Sequence, residues 1–182
     1  MNSKIILVFA ILSCYFLPES IKAQQVKNKI YSQQPMNCRY EGDHELQSCK
    51  PMKDLFVSFK WSHPYHISFS LHKKRWIYTI DDDFSGIDTN MYMYKKANNI
   101  IFLVELLYEY SSDVLLFYKN NDKIYFLKKL PFEIPSDLEG GWHYELKDCK
   151  NALVIGLIYD ATKKQVKSYN VSFSLKKELQ TD

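Results

Sequence analysis

Short runs in which apolar and polar side chains alternate constrain the fold of this chain more than any other feature. The clearest run lies near the C-terminus, where Tyr169, Val171, Phe173 and Leu175 alternate with Ser168, Asn170, Ser172 and Ser174. Successive side chains of a β-strand point to opposite faces of the sheet, so each such run predicts a strand with one apolar face.

About ten runs rich in aromatic or β-branched residues are separated by Asn, Asp, Pro and Gly. They cover residues 55–61, 67–71, 76–80, 91–95, 100–110, 114–119, 123–130, 142–146, 153–159 and 166–175. The predicted fold class is all-β, an antiparallel meander of about ten strands that forms a sandwich or a barrel after a short irregular N-terminal arm. One run, IIFLVELLY at residues 100–108, is too continuous for periodicity to separate a buried strand from a helix. We interpret it as a strand because Ile, Val and Phe dominate it.

The first 23 residues have the three parts of a secretory signal peptide. Lys4 supplies positive charge, residues 5–17 are almost wholly apolar, and a polar segment ends at the small residue Ala23. The apolar run is too short to cross a bilayer, which takes roughly 20 residues. We therefore predict cleavage after Ala23, a mature chain that starts at Gln24, no transmembrane segment, and a secreted or periplasmic location.

A second processing route involves the segment that ends at Cys14. Ile11, Leu12, Ser13 and Cys14 form a loose lipobox, in which Cys14 would carry a lipid and hold the protein at the cell surface. The bulky Leu12 fits such a motif poorly, so a signal-peptide cysteine that is discarded on cleavage is the favoured interpretation.

The mature chain divides into two predicted regions. Residues 24–52 are polar, contain Pro35 and Pro51, and are expected to form an arm or loop, whereas residues 53–182 are expected to form a single β-rich domain. Removal of Lys4, Lys22 and Glu19 changes the net charge from +3 to +2. A chain so close to neutral gives no reason to expect a nucleic-acid partner.

Three cysteines remain after cleavage. We predict a disulfide between Cys38 and Cys49, because it closes a short polar loop and would restrict the unfolded chain by roughly 2.5–3 kcal/mol. Pairing of Cys49 with Cys149 stays open on the sequence alone.

Residues 81–88, DDDFSGID, resemble part of a calcium-binding loop. Asp81, Asp83, Ser85 and Asp88 supply oxygen ligands around a glycine, but the twelfth position is Tyr92 rather than a carboxylate. An ordinary acidic turn is the favoured interpretation. His63, His66 and His72 lack a visible additional ligand, so we predict neither a metal nor another cofactor.

Aromatic residues make up 15% of the chain and provide the main compositional clue to function. Tyrosine and tryptophan suit contacts with proteins or sugars, and the candidate surface residues are Tyr92, Tyr94, Tyr108, Tyr110, Trp142 and Tyr144.

The sequence carries no clear signature of catalysis. There is no G-x-S-x-G motif, and Glu105 and Glu109 are as consistent with strand-end charges as with an acid and base. We predict an exported, non-catalytic binding protein for an unknown protein or carbohydrate. A barrel carrying a small apolar ligand and a secreted hydrolase with a non-local active site are the alternatives.

Overall fold

A computed structural model describes residues 30–42, 45–80, 84–133, 141–149 and 152–181 of the chain. The fold below is that of the unit Tyr31–Asp182. The predicted signal peptide, the cleavage site and Cys14 lie outside the described residues.

The described residues form strands almost throughout. In chain order these are β1 (Ser32–Gln34), β2 (Asn37–Glu41), β3 (Leu46–Met52), β4 (Leu55–Lys60), β5 (His66–Leu71), β6 (Lys74–Thr79), β7 (Asp88–Lys96), β8 (Asn99–Leu107), β9 (Ser111–Asn120), β10 (Lys123–Glu133), β11 (Trp142–Cys149), β12 (Ala152–Tyr159), β13 (Gln165–Ser172) and β14 (Lys177–Glu178). A single turn of 3-10 helix, Phe173–Leu175, lies between β13 and β14.

The strands form three antiparallel sheets. The six-stranded sheet has the order β1-β7-β8-β9-β10-β14, the five-stranded sheet the order β2-β3-β4-β5-β6, and the three-stranded sheet the order β11-β12-β13. The all-β prediction is confirmed in its sandwich form, since none of these described sheets closes into a barrel. Most connections are short hairpins, including the one at residues 120–122, where Asn121 has a φ of 50°.

Two apolar cores, one on each face of the six-stranded sheet, hold the layers together. On one face, Phe102 and Phe117 pack with Phe69 of the five-stranded sheet. On the other face, Leu103 and Phe132 belong to the same core as Tyr144 of the three-stranded sheet. The described part of this unit is therefore a three-layer β-sandwich whose middle sheet is covered on both sides.

The location of β8 in the middle layer of the sandwich explains its continuous apolar sequence. Phe102 and Val104 face the five-stranded sheet, whereas Ile101 and Leu103 face the three-stranded sheet. A strand that is buried on both faces needs apolar residues at successive positions. The interpretation of residues 100–108 as a strand is confirmed, and β8 ends at Leu107.

Two predicted boundaries differ from the structure. The segment 24–52, expected to be an arm or loop, contains β1, β2 and β3 among its described residues. The last predicted strand, residues 166–175, ends at Ser172, because the Ser172 side chain accepts a hydrogen bond from the Ser174 amide and begins the 3-10 turn.

Cys38 and Cys49 form the predicted disulfide. They are directly opposite each other on β2 and β3, with their Cα atoms 4.0 Å apart. Cys149 is a free thiol, exposed at the end of β11. In the part of the chain that the structure describes, no helix has the length and hydrophobicity needed to span a membrane.

Candidate functional site

A groove of about 700 Å³ lies where the six-stranded sheet meets the three-stranded sheet and the 3-10 turn. Its lining combines two aromatic rings with amide, carboxylate, hydroxyl and ammonium groups: Asn99, Tyr118, Asp148, Ser172, Phe173, Ser174 and Lys176. Sites for small polar ligands combine apolar surface with a few placed hydrogen-bonding groups in this way.

The aromatic part of the groove is held in place by ring contacts. The ring centroids of Tyr118 and Phe173 are 5.3 Å apart in an edge-to-face arrangement. The Lys176 ammonium lies 5.6 Å from the Tyr118 ring centroid and 4.6 Å from that of Tyr125. These contacts fix a cation and two aromatic side chains along one wall.

The polar groups of the groove are also positioned by hydrogen bonds. The Tyr118 hydroxyl donates to Asn99 Oδ1 at 3.0 Å, which leaves the Asn99 amide nitrogen as a donor. The hydroxyls of Ser172 and Ser174 are hydrogen-bonded to each other at 2.7 Å. Asp148 forms an ion pair with Lys96. Burial, followed by the neighbouring Tyr125 phenol and the Asp148 carboxylate, raises the pKa of Tyr118, so its hydroxyl stays protonated at neutral pH.

Tyr31 lies near the groove. Its side chain is buried, and its hydroxyl makes no hydrogen bond of good geometry within the described part of the chain. Burial and then the charge of Asp148 raise the pKa of this hydroxyl, and the side chains of Asp148 and Asn99 lie close to it. The Tyr31 hydroxyl therefore adds a polar group on the side of the groove that Asn99 and Asp148 line.

Glu105 is the centre of a second polar cluster, which is buried between β8 and β11. Its side chain has no exposed surface, yet it accepts hydrogen bonds on both oxygens. Asn90 Nδ2 and the Tyr92 hydroxyl donate to Oε2 at 3.1 and 3.2 Å, and Trp142 Nε1 and the Tyr144 hydroxyl donate to Oε1, the former at 3.2 Å. Four donors compensate the loss of water around this carboxylate.

The predicted surface aromatic residues have three different environments. Tyr92, Trp142 and Tyr144 surround Glu105. Tyr94 and Tyr144 are buried, which corrects their assignment to the surface. Tyr94 donates to the backbone oxygen of Tyr144 at 3.0 Å. Tyr108 is half-buried and donates to Asp113 at 3.1 Å, whereas Tyr110 is 64% exposed.

The predicted carboxylate pair is separated by the end of β8. Glu105 is buried in the cluster, whereas Glu109 is exposed in the turn between β8 and β9.

Of the metal candidates, Asp81 and Asp83 lie outside the described residues. Ser85 is exposed, and Asp88 accepts from the Thr89 amide at 2.7 Å and the Tyr40 hydroxyl at 3.1 Å. No group of three His, Cys, Asp or Glu side chains suited to a metal occurs within the described ranges.

A smaller groove of about 400 Å³ lies at the opposite end of the sandwich. Tyr40, Trp61, Ile87 and Asp88 line it, and Ile87 is 72% exposed. The Trp61 Nε1 atom is buried there without a hydrogen-bond partner among the described residues. This groove has fewer converging polar groups than the larger one.

Comparison with known proteins found no matching family model, no matching curated protein and no matching solved structure. None of the residues of the larger groove is a candidate site residue on the sequence alone. These residues come from β8, β9, β11, β13 and the 3-10 turn, so no local pattern could have connected them.

Proposed function

We propose that this chain is an exported, non-catalytic binding protein whose ligand site is the groove at Tyr118 and Phe173. The observation that carries the proposal is the convergence of two aromatic rings, an amide, a carboxylate, two hydroxyls and an ammonium group in one concave surface. Export is supported by the N-terminal signal pattern and is consistent with the disulfide, because disulfides persist in oxidising compartments.

The ligand class that best fits this lining is a carbohydrate. Sugar rings present apolar C–H faces that stack on aromatic side chains, and hydroxyl groups that pair with amides, carboxylates and serines. Lys176 and the Asn99 amide supply donors, whereas Asp148 and the serine hydroxyls supply acceptors. A protein partner would use a flatter and larger contact area than this groove provides.

The proposal is tested by measuring binding of the mature protein to an array of neutral and acidic oligosaccharides. Ser174→Trp places a large side chain in the groove at an exposed position, and we expect at least a tenfold loss of affinity for the glycan that binds. Ser168→Trp is the matched control, because Ser168 is exposed on β13 but does not line the groove.

Two results would contradict the groove as the site: an array without any bound glycan, or binding that Ser174→Trp and Ser168→Trp leave equally unchanged. Export is tested separately by the intact mass of the extracytoplasmic protein, which we expect to begin at Gln24. A diacylated N-terminus at Cys14 would instead make the protein a lipid-anchored one.

A further inference from the structure

The hairpin turns lie at the two ends of the sandwich in a regular way. Gln47 bonds to Thr89 and the Cys49 sulfur lies 3.6 Å from that of Met91, so β3 and β7 run side by side in the same direction. Tyr94 bonds to Tyr144 and Lys96 pairs with Asp148, which aligns β7 with β11 in the same direction. The turns after β3, β5, β7 and β9 therefore share one end, which we call the basic end.

Positive charge is concentrated at the basic end. The described basic residues at or next to the turns of the basic end are Lys50, Lys53, Lys73, Lys74, Arg75, Lys95, Lys96, Lys119, Lys123, Lys176 and Lys177, and the acidic ones are Asp54, Asp122, Asp148 and Glu178. Two of these acids are paired, Asp148 with Lys96 and Glu178 with Lys123. A large positive excess remains at this end.

The opposite end has no such excess. Its described acidic residues are Glu41, Glu45, Asp88, Glu109, Asp113, Glu133 and Asp160, and its basic residues are Arg39, Lys60, Lys129, Lys163, Lys164 and Lys167. Arg39 pairs with Glu41, and Lys129 pairs with Asp113. The small net charge of the chain therefore conceals a strong difference in charge between the two ends. A field of this kind orients a protein toward a negatively charged surface.

The basic end also exposes large apolar side chains. Leu175 in the 3-10 turn is 75% exposed, Phe56 on β4 is 46% exposed, and Met52 at the end of β3 is 38% exposed. Lysines flank each of them, and the Lys50 ammonium lies 5.2 Å from the Phe56 ring centroid. Apolar side chains that enter the headgroup region, surrounded by lysines, are the pattern of peripheral membrane contact.

We propose that the basic end docks the protein on the surface of an anionic lipid bilayer. The lysines contact lipid phosphates, and Leu175, Phe56 and Met52 enter the interface. The exposed aliphatic residues Leu175 and Met52 favour a bilayer over an acidic polysaccharide or a nucleic acid, because these polymers stack on aromatic rings but offer no apolar layer that aliphatic side chains can enter. This docking goes beyond the proposed glycan binding and does not depend on it, since Lys53, Lys73 and Lys74 do not line the groove.

The test is co-sedimentation of the mature protein with vesicles of 30% phosphatidylglycerol in phosphatidylcholine, compared with vesicles of pure phosphatidylcholine. We expect binding to the anionic vesicles alone, weakened by added salt. Each lysine near such a surface contributes a factor of about five, so Lys53→Gln, Lys73→Gln and Lys74→Gln together are expected to weaken binding by about 100-fold.

A second triple variant provides the control for net charge. Lys60→Gln, Lys163→Gln and Lys164→Gln remove the same charge from the opposite end, and Lys163, like Lys73, has a positive φ. Binding is expected to stay within about twofold of wild type, because these charges lie away from the bilayer. An equal loss in both triples would overturn the proposal, because binding would then depend on net charge and not on a docking surface.

The apolar contribution is tested by Leu175→Ser against Ile87→Ser. Both side chains are more than 70% exposed, and we expect only Leu175→Ser to weaken vesicle binding, by several-fold. Equal effects of the two changes would overturn the proposed insertion of apolar side chains, and absence of binding at low salt would overturn the proposal as a whole. Tighter binding to heparin or to duplex DNA than to the anionic vesicles would also overturn it and assign the basic end to a polymer.

Discussion

A single buried carboxylate links the middle and outer layers of the sandwich. Glu105 extends from β8 toward β11 and receives hydrogen bonds from side chains on both β7 and β11. Burial, followed by the charge of Glu105, raises the pKa of Tyr144 and Tyr92, so both hydroxyls remain donors at all ordinary pH values. The cluster is thus an acceptor surrounded by obligatory donors.

Glu105→Gln is expected to lower the free energy of unfolding by about 2–4 kcal/mol, because the new amide group turns a donor toward hydroxyl and amide donors and leaves them unpaired. Glu109→Gln is the matched control at an exposed turn position, where we expect a change below about 0.5 kcal/mol. Urea unfolding of the two variants measures both effects. Equal stability of Glu105→Gln and wild type would mean that the buried hydrogen bonds contribute nothing net.

At the scale of strands, β8 differs from the strands of the outer sheets because both of its faces are buried. Ile101→Ala and Phe102→Ala change adjacent residues that lie in different cores, and each is expected to cost about 2–5 kcal/mol. On β4, which has one solvent-facing side, Phe59→Ala should cost about 3–5 kcal/mol and Phe56→Ala less than about 1 kcal/mol. Chemical denaturation measures all four, and a tolerated change at either β8 position would contradict the three-layer arrangement.

The strands that the sequence predicts, β4 to β13, are runs of aromatic and β-branched residues, most of them with apolar alternation and β8 with a continuous apolar sequence. The strands it misses lack that signal for physical reasons. Every residue of β2 is exposed, and β14 has only two residues. The inward residues of β3 include Gln47, which is buried because it bonds to Thr89, and Cys49, which is bonded to Cys38. Because a hydrogen bond and a disulfide bury these residues, the sequence of β3 shows no alternation of apolar and polar side chains.

The candidate site is harder to predict than the strands. In the sequence, Asn99 is an ordinary turn residue and Ser174 a solvent-facing residue of a predicted strand, and both line one groove only after the sheets stack. Glu105 differs from these residues, because it lies within an apolar run that predicts a strand. That run does not predict the hydrogen-bond donors that β11 brings to its carboxylate. Charge segregation is equally invisible in the chain's net charge, since it depends on which turns share an end.

At the scale of the whole molecule, the buried tyrosines determine the response to alkaline pH. Burial and then the charge of Glu105 raise the pKa of Tyr92, Tyr94 and Tyr144 in the folded state. Burial and then the charge of Asp113 raise the pKa of Tyr108 to about 12. An unfolded tyrosine titrates near pH 10, so the two states bind the same number of tyrosine protons below about pH 10 and different numbers above it.

Above about pH 10 the unfolded chain releases tyrosine protons that the folded protein retains, so the free energy of unfolding falls as the pH rises. Each of Tyr92, Tyr94 and Tyr144 is expected to contribute up to about 1.4 kcal/mol per pH unit in this range. Urea unfolding at several pH values between about 8 and 11 measures the slope. Tyr94→Phe removes one titrating group and only one hydrogen bond, so its slope should be shallower by about that amount. A wild-type stability that is constant up to about pH 11 would contradict the burial of these hydroxyls, and with it the close packing of the three-stranded sheet on the middle layer.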